Sequence, residues 1–251
     1  MLIRYVPTYE GLLTAVIFSL RQRQIPLEML SRDEPLSLLP EMATGEHPNA
    51  SDQLYHHLSA LISPRQAGQI MHTVFQAWCA GTPGIALAIT RYFWLAIRHR
   101  SDPADRRYLP EVEAVVRASE RAGGQAHVWC GLLRFRELAP SIYLADFAPE
   151  EDLIPLILPH FSDRLPDQSF VIRDLRHHRA ALHLADGRQT ILRLADAPDF
   201  DAALEKPDGF IELWQTYLKH LTIPERRQKH LQQHHMPKKH WRFLAERPDE
   251  Q

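Results

Sequence analysis

Residues 170–194 read FVIRDLRHHRAALHLADGRQTILRL, and this stretch decides the fold class. Three segments within it, Phe170–Leu175, Ala181–Ala185 and Gln189–Leu194, carry the apolar and β-branched residues of strands. Asp186-Gly187 lies between the last two. A tight turn joining antiparallel strands needs positive φ, which glycine adopts without strain, so this dipeptide predicts a hairpin. Immediately upstream, Ser141–Phe147 alternates as a strand does. Leu153–Phe161 reads as a helix with prolines near its ends.

Working outward, the first half is dominated by helical spacing. Leu2–Val6 reads as extended and ends at Pro7. Leu12, Leu13, Val16, Ile17 and Leu20 then recur on one helical face behind Thr8, a residue suited to N-capping. Residues 31–50 read as a loop with a short strand around Leu36–Leu39. Ser51, Ser63-Pro64 and Thr82-Pro83 each announce a helix start. The helix after Thr82-Pro83, with Ile85, Ile89, Tyr92, Phe93, Trp94 and Ile97, is apolar almost all round and is expected to be buried. A further helix is expected from Pro110 to Arg121, ended by Gly123-Gly124. Beyond the strands, Ile211, Trp214, Tyr217, Leu218 and Leu221 form one more helical stripe.

Helices followed by strands predict an α+β fold: a helical N-terminal half packed with a small, mainly antiparallel sheet and C-terminal helices. We expect one α+β domain over 1–251. Its subregions are 1–125, mainly helical, 126–196, mixed, and 210–247, basic and helical, with residues 196–209 as the connecting stretch.

The 251 residues are 45% hydrophobic and 24% charged, enough to bury a sizeable core and incompatible with a wholly disordered chain. The net charge of -2 gives no global signal for a polyanionic partner, so any such contact must come from a local field. Two cysteines, Cys79 and Cys130, are too few for a Cys-rich zinc site or a four-Cys cluster. Glu10 interrupts the apolar N-terminus, and Arg91 interrupts Ile85–Ile97, which is also too short to span a bilayer. A cytoplasmic protein without a membrane partner is expected.

Residues 219–247 differ from the rest. Lys219, Arg226, Arg227, Lys229, Lys238, Lys239, Arg242 and Arg247 face only Glu225 and Glu246, with His235 and four other histidines among them. Cations engage phosphates by charge and counterion release, and aromatic rings such as Trp241 can stack on exposed bases. The bland alternative is a solvated helix with Trp241 packed inward. Upstream, His160, Asp163, Arg164, Asp174 and Arg176 form a second polar group. Asp174 could orient His160 as a general base, and the arginines could hold a phosphate; the alternative is a structural network around residues 165–167. His127 and Arg134 form a third group. There is no G-x-S-x-G elbow, dinucleotide fingerprint or phosphate-cradling glycine loop, and no cofactor or metal is expected.

Three segments carry a family resemblance: Leu156–Arg176, LILPHFSDRLPDQSFVIRDLR; Leu213–Leu244, LWQTYLKHLTIPERRQKHLQQHHMPKKHWRFL; and His127–Phe135, HVWCGLLRF. With TYEGLL at Thr8–Leu13, they resemble a bacterial family of undefined chemistry associated with DNA repair. Its members are encoded beside radical S-adenosylmethionine proteins or fused to uracil-DNA glycosylase-like domains. Val128 and Trp129 stand where members often carry a basic residue and Met. The resemblance implies a DNA-repair or DNA-metabolism accessory protein. Its expected partners are damaged or single-stranded DNA and a radical S-adenosylmethionine protein. The nucleic-acid face would use Arg134, Arg164, Arg176, His235, Lys238, Lys239 and Trp241. Two alternatives remain: a nucleotide- or phosphodiester-directed enzyme using His160 and Asp174, and a protein-interaction partner without DNA affinity.

Overall fold

The structure, a computed structural model, describes residues 1–35, 37, 40–196, 213, 216, 217, 220, 230 and 236–244. The fold is α+β. The chain divides into two compact units, Met1–Gly124 and Gln125–Gln251.

In the first unit, β1 (Leu2–Tyr5) is the middle strand of a three-stranded parallel sheet, between β2 (Glu28–Ser31) and β3 (Glu41–Ala43). Strand β3 falls where a loop was expected, and β2 lies just before that loop, in a stretch for which no strand was read. EMLS and EMA are too short for alternation to register, and their pairing depends on Arg4. That buried side chain donates to the carbonyls of Ser31 (2.6 Å), Glu34 (2.9 Å) and Pro35 (2.9 Å) and to the Glu41 carboxylate. The hydrogen bond from Arg4 holds the Glu41 carboxyl down at about 2. The third strand lies at residues 41–43; of the short strand expected around 36–39, positions 36, 38 and 39 lie outside the described residues.

The first helix, α1 (Tyr9–Arg21), starts as expected, with the Thr8 hydroxyl accepting from Gly11 N. For α2 (Ala50–Leu61) the cap is Asn49, not Ser51. Ser51 lies inside the first turn and gives its hydroxyl and amide to Glu10 of α1. Ser63 caps α3 (Pro64–Cys79) with Pro64 in the first turn. The apolar α4 (Ile85–His99) begins after Gly84, whose φ of 74° turns the chain, rather than at Thr82-Pro83. The largest correction concerns α5 (Pro110–Leu132), which runs straight through Gly123-Gly124. Neither glycine has positive φ, so neither terminates the helix. At Gly123 a Cβ would lie 2.7 Å from Gln76 Nε2 on α3, so that glycine serves close helix packing.

The second unit takes the last turns of α5 from Gln125, then β4 (Arg136–Ala139), β5 (Ile142–Phe147), α6 (Ile154–Arg164), β6 (Ser169–Asp174), β7 (Arg179–His183) and β8 (Gln189–Arg193). The sheet order is β4-β5-β6-β7-β8, with β5 and β6 parallel through the α6 crossover and the other pairs antiparallel. The three strands read from residues 170–194 are all present, and Gly187 makes the hairpin turn at φ 85°. On one sheet face Leu144, Val171 and Ala180 pack with Leu182, Leu192 and Leu194. Strand alternation sends Phe147, Phe170 and Ile172 to the other. There Phe135 bridges Phe161 of α6 and Phe170 of β6, and Trp129 meets the edge of Phe147 at 5.3 Å. In the expected helix at 211–221, Leu213, Thr216, Tyr217 and His220 are helical; Ile211, Trp214, Leu218 and Leu221 lie outside the described residues. Among the described residues no helix is long and apolar enough to cross a membrane.

Candidate functional site

The site lies in the second unit and begins at the β6–β7 turn. Asp174, the last residue of β6, is fully buried. Its Oδ1 accepts from the backbone N–H groups of Arg176 (2.9 Å) and His177 (3.0 Å), and its Oδ2 accepts from His177 Nδ1 (2.8 Å). With His178 at φ 52°, these three bonds set the turn and leave the Arg176 side chain exposed, with no ion-pair partner among the described residues. Asp152 lies nearby, bonded to Arg179; burial, only partly offset by Arg179 and His177, pushes its carboxyl up.

A second segment, the 3-10 turn Lys238–Phe243, is held by two inward-facing rings. Trp241 is buried and donates its indole N–H to Met236 O at 2.7 Å. His240 is buried against Trp129, ring to ring at 4.5 Å. Inward Trp241 and His240 turn the long cations outward. Lys238 Nζ lies 5.6 Å over the Trp241 ring, and the Arg242 guanidinium 4.5 Å over Phe243.

The two segments meet at a concavity of 440 Å³. Arg176, Lys238, Lys239 and Arg242 line it, with Glu150 as the acid; Gln125, Ala148 and His240 complete the wall. Lys239 pairs with Glu150 at 2.8 Å, both largely exposed. Burial, then Lys239, holds the His240 imidazole below its ordinary value of 6.5, so the ring is neutral at pH 7 and the positive field comes from lysine and arginine.

Of the residues expected from the sequence, Arg176, Lys238 and Lys239 converge here. Trp241 stands behind them as an anchor, with its indole N–H already used. Arg134 does not line the cavity; it donates to Gly131 O at 2.8 Å. Arg164 and Asp163 are exposed at the end of α6 and also lie outside the lining. The expected His160–Asp174 pair is not formed. His160 is exposed on α6 beside the Phe161 ring, whereas Asp174 is occupied by His177, three residues on in the same turn. His235 lies outside the described residues. Sequence reasoning missed Glu150, which nothing local marks, and His177, whose signal was an aspartate three residues ahead at a strand end. Among the described residues no group of three His, Cys, Asp or Glu could hold a metal ion.

These features define an α+β protein whose second unit carries a cationic concavity fed by two separate segments. The chain belongs to the family described as DUF4130, a domain of unknown function, whose model matches residues 83–246 and so takes in the whole cavity lining. No curated protein and no solved structure matches the chain.

Proposed function

We propose that this protein binds nucleic acid through the cavity between the β6–β7 turn and the 238–243 turn. In this reading it serves DNA repair or DNA metabolism as an accessory to a radical S-adenosylmethionine protein. One observation carries the binding: among the described residues, four cations from two distant segments surround a single concavity against one carboxylate, in a chain whose overall charge is -2. A positive field so local is a device for holding an anion. The accessory role follows from the family resemblance of the 156–176 and 213–244 segments.

Four cations against one carboxylate leave about three charges for phosphate, which for a single strand gives a salt slope of about -2 and a roughly twentyfold loss of affinity between about 50 and 200 mM salt. Anisotropy titration of a labelled single-stranded oligonucleotide measures this slope. The Lys238→Ala, Lys239→Ala double variant is expected to bind about tenfold more weakly with a shallower slope. Unchanged affinity would remove this face from consideration. Co-purification with a radical S-adenosylmethionine protein tests the partnership; no association at any salt concentration would count against it.

A further inference from the structure

We infer that the cavity is a reader of phosphomonoester dianions, meaning a phosphorylated nucleic-acid end or a free nucleotide, rather than of internal phosphodiesters or bases. This rests on the proposal that the cavity binds nucleic acid and names the chemistry it selects.

The first reason is what the lining lacks. A surface that grips single strands along their length combines cations with rings on which bases stack. Here the rings are spent inside. Trp129 is fully buried and lies 5.8 Å from Phe243, Trp241 is 7% exposed, and Lys238 and Arg242 cover the faces of Trp241 and Phe243. Among the described residues, what reaches the cavity is ammonium, guanidinium, the Gln125 amide and the Glu150 carboxylate paired to Lys239, with His240 neutral and 4% exposed. The cations and the amide are donors for oxygen anions, and the one ring among the described lining residues, His240, is too buried to be a platform for a base.

The second reason is the ratio of charge to space. A backbone diester brings one negative charge per phosphate, whereas a monoester brings about 1.5 to 2 charges at pH 7 on three strong acceptor oxygens. Among the described residues, an excess of about three cations around 440 Å³ matches one dianion better than one diester. The volume is that of a small-molecule site, on the order of 300–1,000 Å³, not of a groove tracking many nucleotides.

The third reason is how the donors are held. The Arg176 backbone is fixed by Asp174 while its planar fork remains exposed. The Arg242 guanidinium lies over Phe243, so its N–H edge is free of the ring. Two arginine forks on separate segments can each span two oxygens of one phosphate, which a chain-internal phosphate, with two of its four oxygens esterified, satisfies poorly.

The test uses the full chain and one oligonucleotide made with a 5′-phosphate, with a 3′-phosphate and with hydroxyl ends. Thymidine monophosphate and inorganic phosphate serve as competitors. At least one phosphorylated form is expected to bind about tenfold more tightly than the hydroxyl form, and inorganic phosphate to erase that advantage. Arg176→Ala, whose side chain makes no bond among the described residues, is expected to shrink the advantage while circular dichroism is unchanged. Equal binding of all three oligonucleotides would overturn the inference and leave nucleic-acid binding standing. Binding of thymidine monophosphate without any oligonucleotide affinity would support monoester selection and place the source in free nucleotides, ending the nucleic-acid reading. No binding of any probe would end both.

Discussion

Asp174 is where fold and site are joined, and its two oxygens predict different outcomes for two substitutions. The backbone amides of Arg176 and His177 both bond to Oδ1, while His177 Nδ1 alone bonds to Oδ2. Asp174→Ala removes both acceptor oxygens, and with them all three hydrogen bonds, from a fully buried position. A hydrogen bond to a charged group contributes about 1.5–3 kcal/mol and such losses are not additive, so the cost is about 3–5 kcal/mol. Asp174→Asn keeps Oδ1 and therefore both amide bonds. Its Nδ2 can donate to His177 Nδ1 once the imidazole adopts the other tautomer, so the cost is about 1 kcal/mol. Urea unfolding gives both values directly, provided the denaturant slope is unchanged. Because the turn carries Arg176, the alanine variant is also expected to weaken oligonucleotide binding and the asparagine variant to retain most of it. Equal destabilisation by Asn and Ala would refute this reasoning, since the buried charge and not the two amide bonds would then be holding the turn.

Two glycines test the helical reading of the first unit. Gly124→Ala is expected to raise stability by about 0.5–1 kcal/mol, because α5 continues through it and nothing lies within 4 Å of the new methyl. A loss of stability would mean that the helix ends there. Gly11→Ala places a Cβ 2.3 Å from the Val6 carbonyl oxygen, which is backbone and cannot swing away, so a cost of at least about 2 kcal/mol is expected in the same unfolding assay. His240 sets a pH dependence. Its folded value lies below 6.5, so the unfolded chain takes up the proton first and stability falls as pH is lowered from about 6.5 towards the folded value. His240→Leu is expected to flatten that part of the stability profile; a profile identical to that of the unsubstituted protein would contradict the assignment.

How far the sequence carries the fold depends on the length of each pattern. Residues 170–194 show three strands and a glycine turn because each strand is long enough to alternate, and the Asp186-Gly187 turn is encoded locally. Strands β2 and β3 were not legible: four and three residues cannot establish a period, and their parallel pairing is arranged by Arg4, whose partners lie up to residue 41. Gly123-Gly124 misled because a terminating glycine and a packing glycine look alike until φ and the neighbouring Gln76 are known. The site divides in the same way. Lys238 and Lys239 stand out by local density of charge. Arg176 joins them only through a turn built by the buried Asp174, and that is a tertiary fact. The expected partner of Asp174 was His160, but the proximity within one turn favours His177.

Arg176 shares one anion-holding surface with residues 238–242 in the binding proposed above. The most direct measurement compares Arg176→Ala with Arg164→Ala for affinity and salt slope on a phosphorylated single strand. Both variants remove one exposed arginine and change the chain by the same charge, but only Arg176 lines the cavity. Arg176→Ala is expected to weaken binding about tenfold and lower the salt slope by about 0.7, while Arg164→Ala stays within about twofold. Equal effects of the two substitutions would contradict this expectation, because binding would then follow net charge and not the cavity.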